Sequence, residues 1–364
     1  MDNTKLKVLN SYHVVFLVQN VIVGTTVLSL PNRISAMGYS QWWMPLLFGI
    51  IANIALIPMI WLGLKYTDDN LFAIHEKLLG KWLGKSLNVV LLVYFIIVIA
   101  AVCASYFQLI QVSALIDRTI TGPLLIFLLL LVYIVSGEIK SIARFCIMAF
   151  FLTIGSVYFL KWGFVAGDIR HMMPFFNFNK QEFYTATKKG LLAVGGFELI
   201  LFYFPHIINQ KKTLRHVSIG IWISVLFTFA FTFVSVMYYS DWQLKNVLYP
   251  VLGLFKEVEL SFLERIDVLA MTMWVFLILS TTAAYLWVAK RGLDSIRSTS
   301  KKAHLYIIAA LVYVIVQFPF MEEFQKLLFE RVFYVMYALF IWPVVLCIIH
   351  VLKQKRTRDR DEEN

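Results

Sequence analysis

Charge is scarce in this chain: 15% of its 364 residues are Asp, Glu, Lys or Arg, against about a quarter in an ordinary soluble domain. Cysteine is scarcer. Cys103, Cys146 and Cys347 all sit inside apolar runs, where a free thiol behaves as a small hydrophobe, so no disulfide framework is expected. Enzyme signatures are missing as well. There is no HExxH, no GxSxG and no paired-cysteine metal spacing, so neither catalysis nor a metal or cofactor is expected. Gly80-Lys81-Trp82-Leu83-Gly84-Lys85-Ser86 approaches a phosphate-binding loop, yet three residues separate its glycines. A Walker A loop needs four, after a strand. Nucleotide binding is therefore not expected.

What the chain has is apolar length. Hydrophobic residues make up 60% and the mean hydropathy is +0.75, beyond an ordinary soluble domain. Nearly uncharged runs of about 20 residues, the length that crosses a bilayer, recur from Ser11 to Val351. They predict an all-α polytopic membrane protein with about ten spans, at 11–31, 42–64, 88–111, 121–136, 142–164, 188–207, 217–239, 266–289, 304–320 and 331–351. Residues 1–364 read as one transmembrane domain, because no segment between spans is long enough to fold alone. The first run is too long for a signal-peptide core and has no A-x-A-like site, so it reads as an uncleaved first helix.

Ten spans put both termini on one side. With the N-terminus inside, 21 Lys and Arg fall on the inner side and 11 on the outer, Lys161 within a span completing the 33. The positive-inside rule then predicts cytoplasmic N- and C-termini. The net charge of +11 thus marks topology and not a nucleic-acid partner. Asp68–Leu83 alternates at helical spacing and is expected along the inner interface, with Leu244–Leu260 a similar cap outside. Trp42, Trp43, Trp61, Tyr238, Tyr239 and Trp242 fit an interfacial belt, and Lys161 beside Trp162 should snorkel. The tail, 352–364, reads as a solvated cytoplasmic end.

Two spans are interrupted alike: Val23-Gly24-Thr25-Thr26 before Pro31, and Val194-Gly195-Gly196-Phe197-Glu198 before Pro205. Glycine weakens a helix and proline removes a donor. Backbone opened at that depth survives only against a cavity or a ligand, and matched breaks in two halves point to a midmembrane site. An opened helix offers N–H groups to a carboxylate and carbonyls to an ammonium, which predicts an amino acid or a molecule of its size. Small residues at the breaks leave room, and enlarging Gly24 or Gly196 should block the site.

Polar residues within the spans extend this. Glu198 is the acidic residue placed near a membrane centre. A charge there costs roughly 2.5–3.5 kcal/mol, so it either serves a ligand, proton or ion, or is a protonated, hydrogen-bonded carboxyl tying the broken helix to its neighbours. Thr281 and Thr282 either face a ligand beside the first helix or bond back to their own carbonyls. Tyr94 with Val98, and Phe197 with Leu201, are each four apart and share a helical face that could close over a side chain. Gln19, Asn20, Asn53, Gln108 and Gln111 read as interhelical glue, and His13 and His206 as satisfied helix-end groups.

VGTTVLSLP in the first span, GGFELILFYFP in the sixth and the basic NQKKTLRH after it resemble the B subunits of spore germinant receptors, a family of the amino acid–polyamine–organocation superfamily. The resemblance covers essentially the whole chain. It implies a five-plus-five inverted repeat with broken helices 1 and 6 (the LeuT-like fold), with repeats at about 11–164 and 188–351. It also implies nutrient sensing in the spore inner membrane, beside an A-type membrane subunit and a C-type lipoprotein, with signalling to ion release. In that family the first, third, sixth and eighth helices form the germinant pocket. Matching positions are Gly24 and Thr25; Tyr94 and Val98; Gly195, Gly196, Phe197, Glu198 and Leu201; Thr281 and Thr282. Relatives often carry a second glycine where this chain has Thr25 or Thr26, which narrows the space. Two functions share this pocket: a germinant-sensing subunit, and an amino-acid permease working by alternating access. A structural scaffold leaves Glu198 and the paired breaks unexplained.

Overall fold

The computed structural model describes residues 7–113, 119–260, 265–297, 299–317 and 322–362. Lys5, Arg118, the end of the ninth apolar run at 318–320 and the last two tail residues lie outside them. Every named element among the described residues is helical. Six helices are long and apolar enough to cross a bilayer, and a bent pair, Ser11–Ile22 with Thr26–Arg33, makes a seventh candidate. Two shorter apolar helices, Thr121–Ser136 and Ala303–Gln317, fall where the fourth and ninth runs were expected. The chain is thus a multi-pass membrane protein. Its outer surface is apolar in keeping: Ile54, Ile126, Ile341 and Leu352 are all more than half exposed, a pattern lipid favours and water penalises.

The first run forms α1 (Ser11–Ile22) and α2 (Thr26–Arg33), bent by 50°. At its start the Asn10 side chain accepts from the His13 N–H at 2.9 Å, and the Asn10 N–H donates to His13 Nδ1 at 3.3 Å. His13 is therefore a satisfied helix-end group. The bend comes at Val23-Gly24-Thr25, where the Gly24 N–H turns to the Ile22 carbonyl at 3.0 Å and leaves the α-helical ladder. After α3 (Met44–Lys65) come α4 (Leu71–Leu79), α5 (Lys81–Ser113), α6 (Thr121–Ser136), α7 (Glu138–Thr153), α8 (Leu160–Ala166) and α9 (Lys180–Gly190). The sixth run then fragments. A 3₁₀ turn at Leu191–Val194 stops at Gly195 with extended backbone, and Gly196 has φ +114°. Short pieces follow at Phe197–Leu199, α10 (Ile200–Tyr203) and Phe204–His206.

The remaining helices are α11 (Thr213–Tyr238), α12 (Asp241–Asn246), α13 (Pro250–Lys256), α14 (Ile266–Arg297), α15 (Ala303–Gln317) and α16 (Glu322–Glu362). Helix α14 runs through the interior, packing on α5, α7 and α1 with Trp274 and Trp287 fully buried. The chain ahead of α1 is clasped to the end of the broken segment by main chain alone. The Val8 and Leu9 N–H groups both donate to the His206 carbonyl at 2.9 Å, and the Ile208 N–H donates to the Leu9 carbonyl at 3.0 Å.

Several sequence expectations find their physical cause here. The glycines of the loop-like 80–86 stretch are packing residues: Gly80 (φ +85°) turns the chain between α4 and α5, and a β-carbon on Gly84 would lie 2.7 Å from the Glu76 backbone. Helix α4 buries Leu71, Phe72, Ile74 and Leu78, and the Lys161 ammonium stands 5.7 Å from the Trp162 ring. Asn20 and Asn53 bond across helices, to the Cys146 carbonyl at 2.8 Å and to Ser218 Oγ at 2.6 Å. Gln108, expected as glue, is exposed on α5.

His75 on α4 is buried and its tautomer is fixed. The Trp342 indole N–H donates to Nε2 at 2.8 Å, so Nδ1 carries the proton shared with Asn88 Oδ1 at 2.9 Å. Burial holds its pKa below the ordinary 6.5. The unfolded chain then takes up a proton more readily, so this contribution to stability is full above about 6.5 and lost as pH falls toward the depressed value. The melting temperature in detergent should drop between about pH 7.5 and 5.5, with a shallower slope in His75→Gln. An equal slope in both proteins would remove His75 as the cause.

Candidate functional site

Between the two breaks lies a cavity of about 70 Å³. Gly24, Thr25, Tyr94, Val98, Gly195 and Thr281 all face it, from α1–α2, α5, the 191–196 turn and α14. A β-carbon built on Gly24 would meet nothing within 4 Å, so its missing side chain is part of the empty space. Thr25 and Thr26 open α2 at one end, where the first N–H groups of a helix have no partner within the helix. Liquid water takes about 30 Å³ per molecule, so the space as it stands suits roughly two waters.

The first break frees the Asn20 carbonyl, because the Gly24 N–H that would bond it turns to Ile22 instead. Thr281 Oγ1 supplies the substitute at 2.8 Å, while also facing its own Leu277 carbonyl at 2.9 Å. The hydroxyl thus stands between its own helix, as the back-bonding reading expected, and the first break. Ser280 Oγ donates to Asn20 Oδ1 at 2.9 Å, and the Trp274 indole N–H reaches the Gly24 carbonyl at 3.4 Å. Thr282 points to the Ile278 carbonyl at 2.7 Å and lies off the cavity.

Glu198 closes the second break. Its Oε2 accepts the Gly196 N–H at 2.7 Å and its Oε1 accepts the Tyr285 hydroxyl at 3.3 Å. The carboxyl is buried behind the cavity wall, tying the opened backbone to α14, as the tethering reading describes. Tyr285 does face the cavity, so Glu198 reaches a guest only through that hydroxyl. Gly196, Phe197 and Leu201 likewise stand behind the wall. Gly196 packs against Val21, and the buried Phe197 ring lies 4.8 Å from Phe340.

Sequence reasoning passed over Val21, Ile22, Tyr285, Val102, Leu192, Val332 and Met336, which together with Thr26 complete the lining. Tyr285 follows Thr281 by four residues and Val102 follows Val98 by four, so the face-sharing rule reaches both. Val332 and Met336 sit on α16 with no polar residue to mark them. Met336 is a movable part of the wall: a β-carbon on Gly195 would lie 2.3 Å from its sulfur, and an unbranched thioether repacks readily.

Comparison with known proteins follows from this geometry. A family model described as "Spore germination protein" matches residues 8–325. The spore germination protein GerQB of Bacillus cereus is 26% identical over 312 residues, 84% of each chain. Spore germination protein A2 of Bacillus subtilis (strain 168) is 23% identical over 361 residues, 97% of this chain and 98% of its own length. Spore germination protein B2 of the same strain is 25% identical, covering 81% and 82%.

Proposed function

The chain belongs to the spore germination protein family, and from that membership we propose that it is the B subunit of a germinant receptor. In this reading it binds a small nutrient germinant, an amino acid, in the cavity between the breaks. The observation that carries it is the convergence of Gly24, Thr25, Tyr94, Val98, Gly195 and Thr281 on one cavity beside two opened helices. Opened backbone at that depth supplies both N–H and carbonyl groups to a zwitterion. In this reading the chain crosses the membrane ten times in two inverted repeats of five, with the bent α1–α2 pair and the fragmented 191–206 segment as equivalent members. Both termini then face the cytoplasm, and the protein resides in the spore inner membrane without catalytic activity or cofactor.

The small volume of the cavity suggests how sensing proceeds. A guest larger than about two waters selects a form in which Leu192 and Met336 have moved, and only differential affinity for that form shifts the equilibrium. An A-type membrane subunit and a C-type lipoprotein would pass the shift on to ion release. Sensing and transport part at one measurement. Purified chain in proteoliposomes, offered each of the common L-amino acids in radiolabelled form, should show no saturable accumulation. Spores lacking the chain should fail to germinate in at least one of those amino acids. Saturable accumulation by the chain alone would establish the permease reading in place of the sensor.

A further inference from the structure

At the end of the molecule where α2 stops, a chamber of about 540 Å³ opens between α2, α9 and α16. Three cations line it, Arg33, Lys188 and Lys189, together with Tyr184, Tyr334 and Tyr337, and no carboxylate does so among the described residues. The Arg33 Nε–H is held by Ser29 Oγ at 3.0 Å, and the Lys188 ammonium stands 5.4 Å from the Tyr334 ring. Neither contact neutralises charge. A phosphate meets such a cluster with charge-assisted bonds from a guanidinium and two ammonium groups.

A second hollow adjoins it. A groove of about 430 Å³ runs along the lipid-facing surface between α3 and α16, lined by Ile51, Ile54, Leu191, Phe340 and Ile341. Tyr337 belongs to both hollows, its hydroxyl donating to the Lys188 carbonyl. The seven helical steps from Tyr334 to Ile341 span about 10 Å along α16. The headgroup layer on each side of a bilayer is roughly 5–8 Å deep, so that distance passes from phosphate to acyl chain.

We propose that the chamber and groove together form a binding site for one anionic phospholipid. Its phosphate sits among Arg33, Lys188 and Lys189, and an acyl chain lies in the α3–α16 groove. The positive charge of Arg33, Lys188 and Lys189, which no carboxylate among the described lining residues offsets, selects an anionic headgroup over a zwitterionic one. The groove beneath selects a lipid over a free phosphate, which would use the chamber only. Leu192 lines both this chamber and the central cavity, so a bound headgroup stands one side chain away from the cavity.

Native mass spectrometry of the purified full-length chain tests this, with phosphatidylglycerol or phosphatidylcholine of identical chains added to the detergent. Retention of phosphatidylglycerol should exceed that of phosphatidylcholine by about fivefold or more, since each basic group near a membrane surface attracts anionic lipid measurably. The triple variant R33Q/K188Q/K189Q should fall to the phosphatidylcholine level, whereas R33K/K188R/K189R should keep its preference. I54W, which fills the groove without changing charge, should also lower retention. Free glycerol phosphate at the lipid concentration should not displace the lipid. Equal retention of the two lipids, or displacement by glycerol phosphate, would overturn the proposal. If the neutral triple variant does not fold, I54W and the lipid comparison decide it.

Discussion

A Gly24→Leu chain is expected to fold and insert like the parent while its response to the germinant shifts by more than about 100-fold, equivalent to about 3 kcal/mol of lost binding. The two halves of that outcome have separate causes. A β-carbon at Gly24 meets no atom within 4 Å, so the new side chain starts out in open space. The four added carbons occupy a cavity of about 70 Å³, which is the space a ligand would need. Germination dose–response with the cognate nutrient, read beside melting temperature and membrane yield, separates the two. An unchanged dose–response in a normally folded variant would remove the cavity as the binding site.

Gly196→Ala should fail in the opposite way, through the fold. Gly196 has φ +114°, and its added β-carbon would lie 2.6 Å from Val21 Cγ1 and 3.0 Å from the Val21 carbonyl oxygen. The strained backbone costs about 1–3 kcal/mol, and forced overpacking adds a similar amount. A lower melting temperature by several degrees and a lower yield are expected. Val21→Ala should rescue only part of the loss, because the carbonyl and the φ remain. Gly195→Ala is expected to be milder, since its clash is with the flexible Met336 sulfur and its φ of −61° is ordinary. Equal stability of Gly196→Ala and the parent would show that the turn relaxes freely.

The two breaks were legible in the sequence because glycine and proline act on the backbone, and backbone effects do not depend on the neighbours. Thr281 was legible in part: a hydroxyl deep in an apolar run must find a partner, and besides its own Leu277 carbonyl it meets the freed Asn20 carbonyl, which the sequence did not point to. Spacing of four residues placed Tyr94 and Val98 correctly on the cavity because α5 is one continuous helix. The same rule put Phe197 and Leu201 there too, and they face elsewhere. Past Gly196 the chain runs through a 3₁₀ turn, a four-residue helix and another 3₁₀ turn, so residues four apart no longer share a face. Val332 and Met336 were illegible for a third reason. Which side of an evenly apolar helix faces a cavity is decided by packing, and composition carries no trace of it.

The clasp between Leu9 and the 206–208 segment uses amide groups only. Every residue except proline carries the N–H these bonds require at Val8, Leu9 and Ile208, and the buried Leu9 and Ile207 side chains add packing at the same place. The segment ahead of α1 and the 206–208 segment are thus joined by a seam whose hydrogen bonds are written in no particular letters.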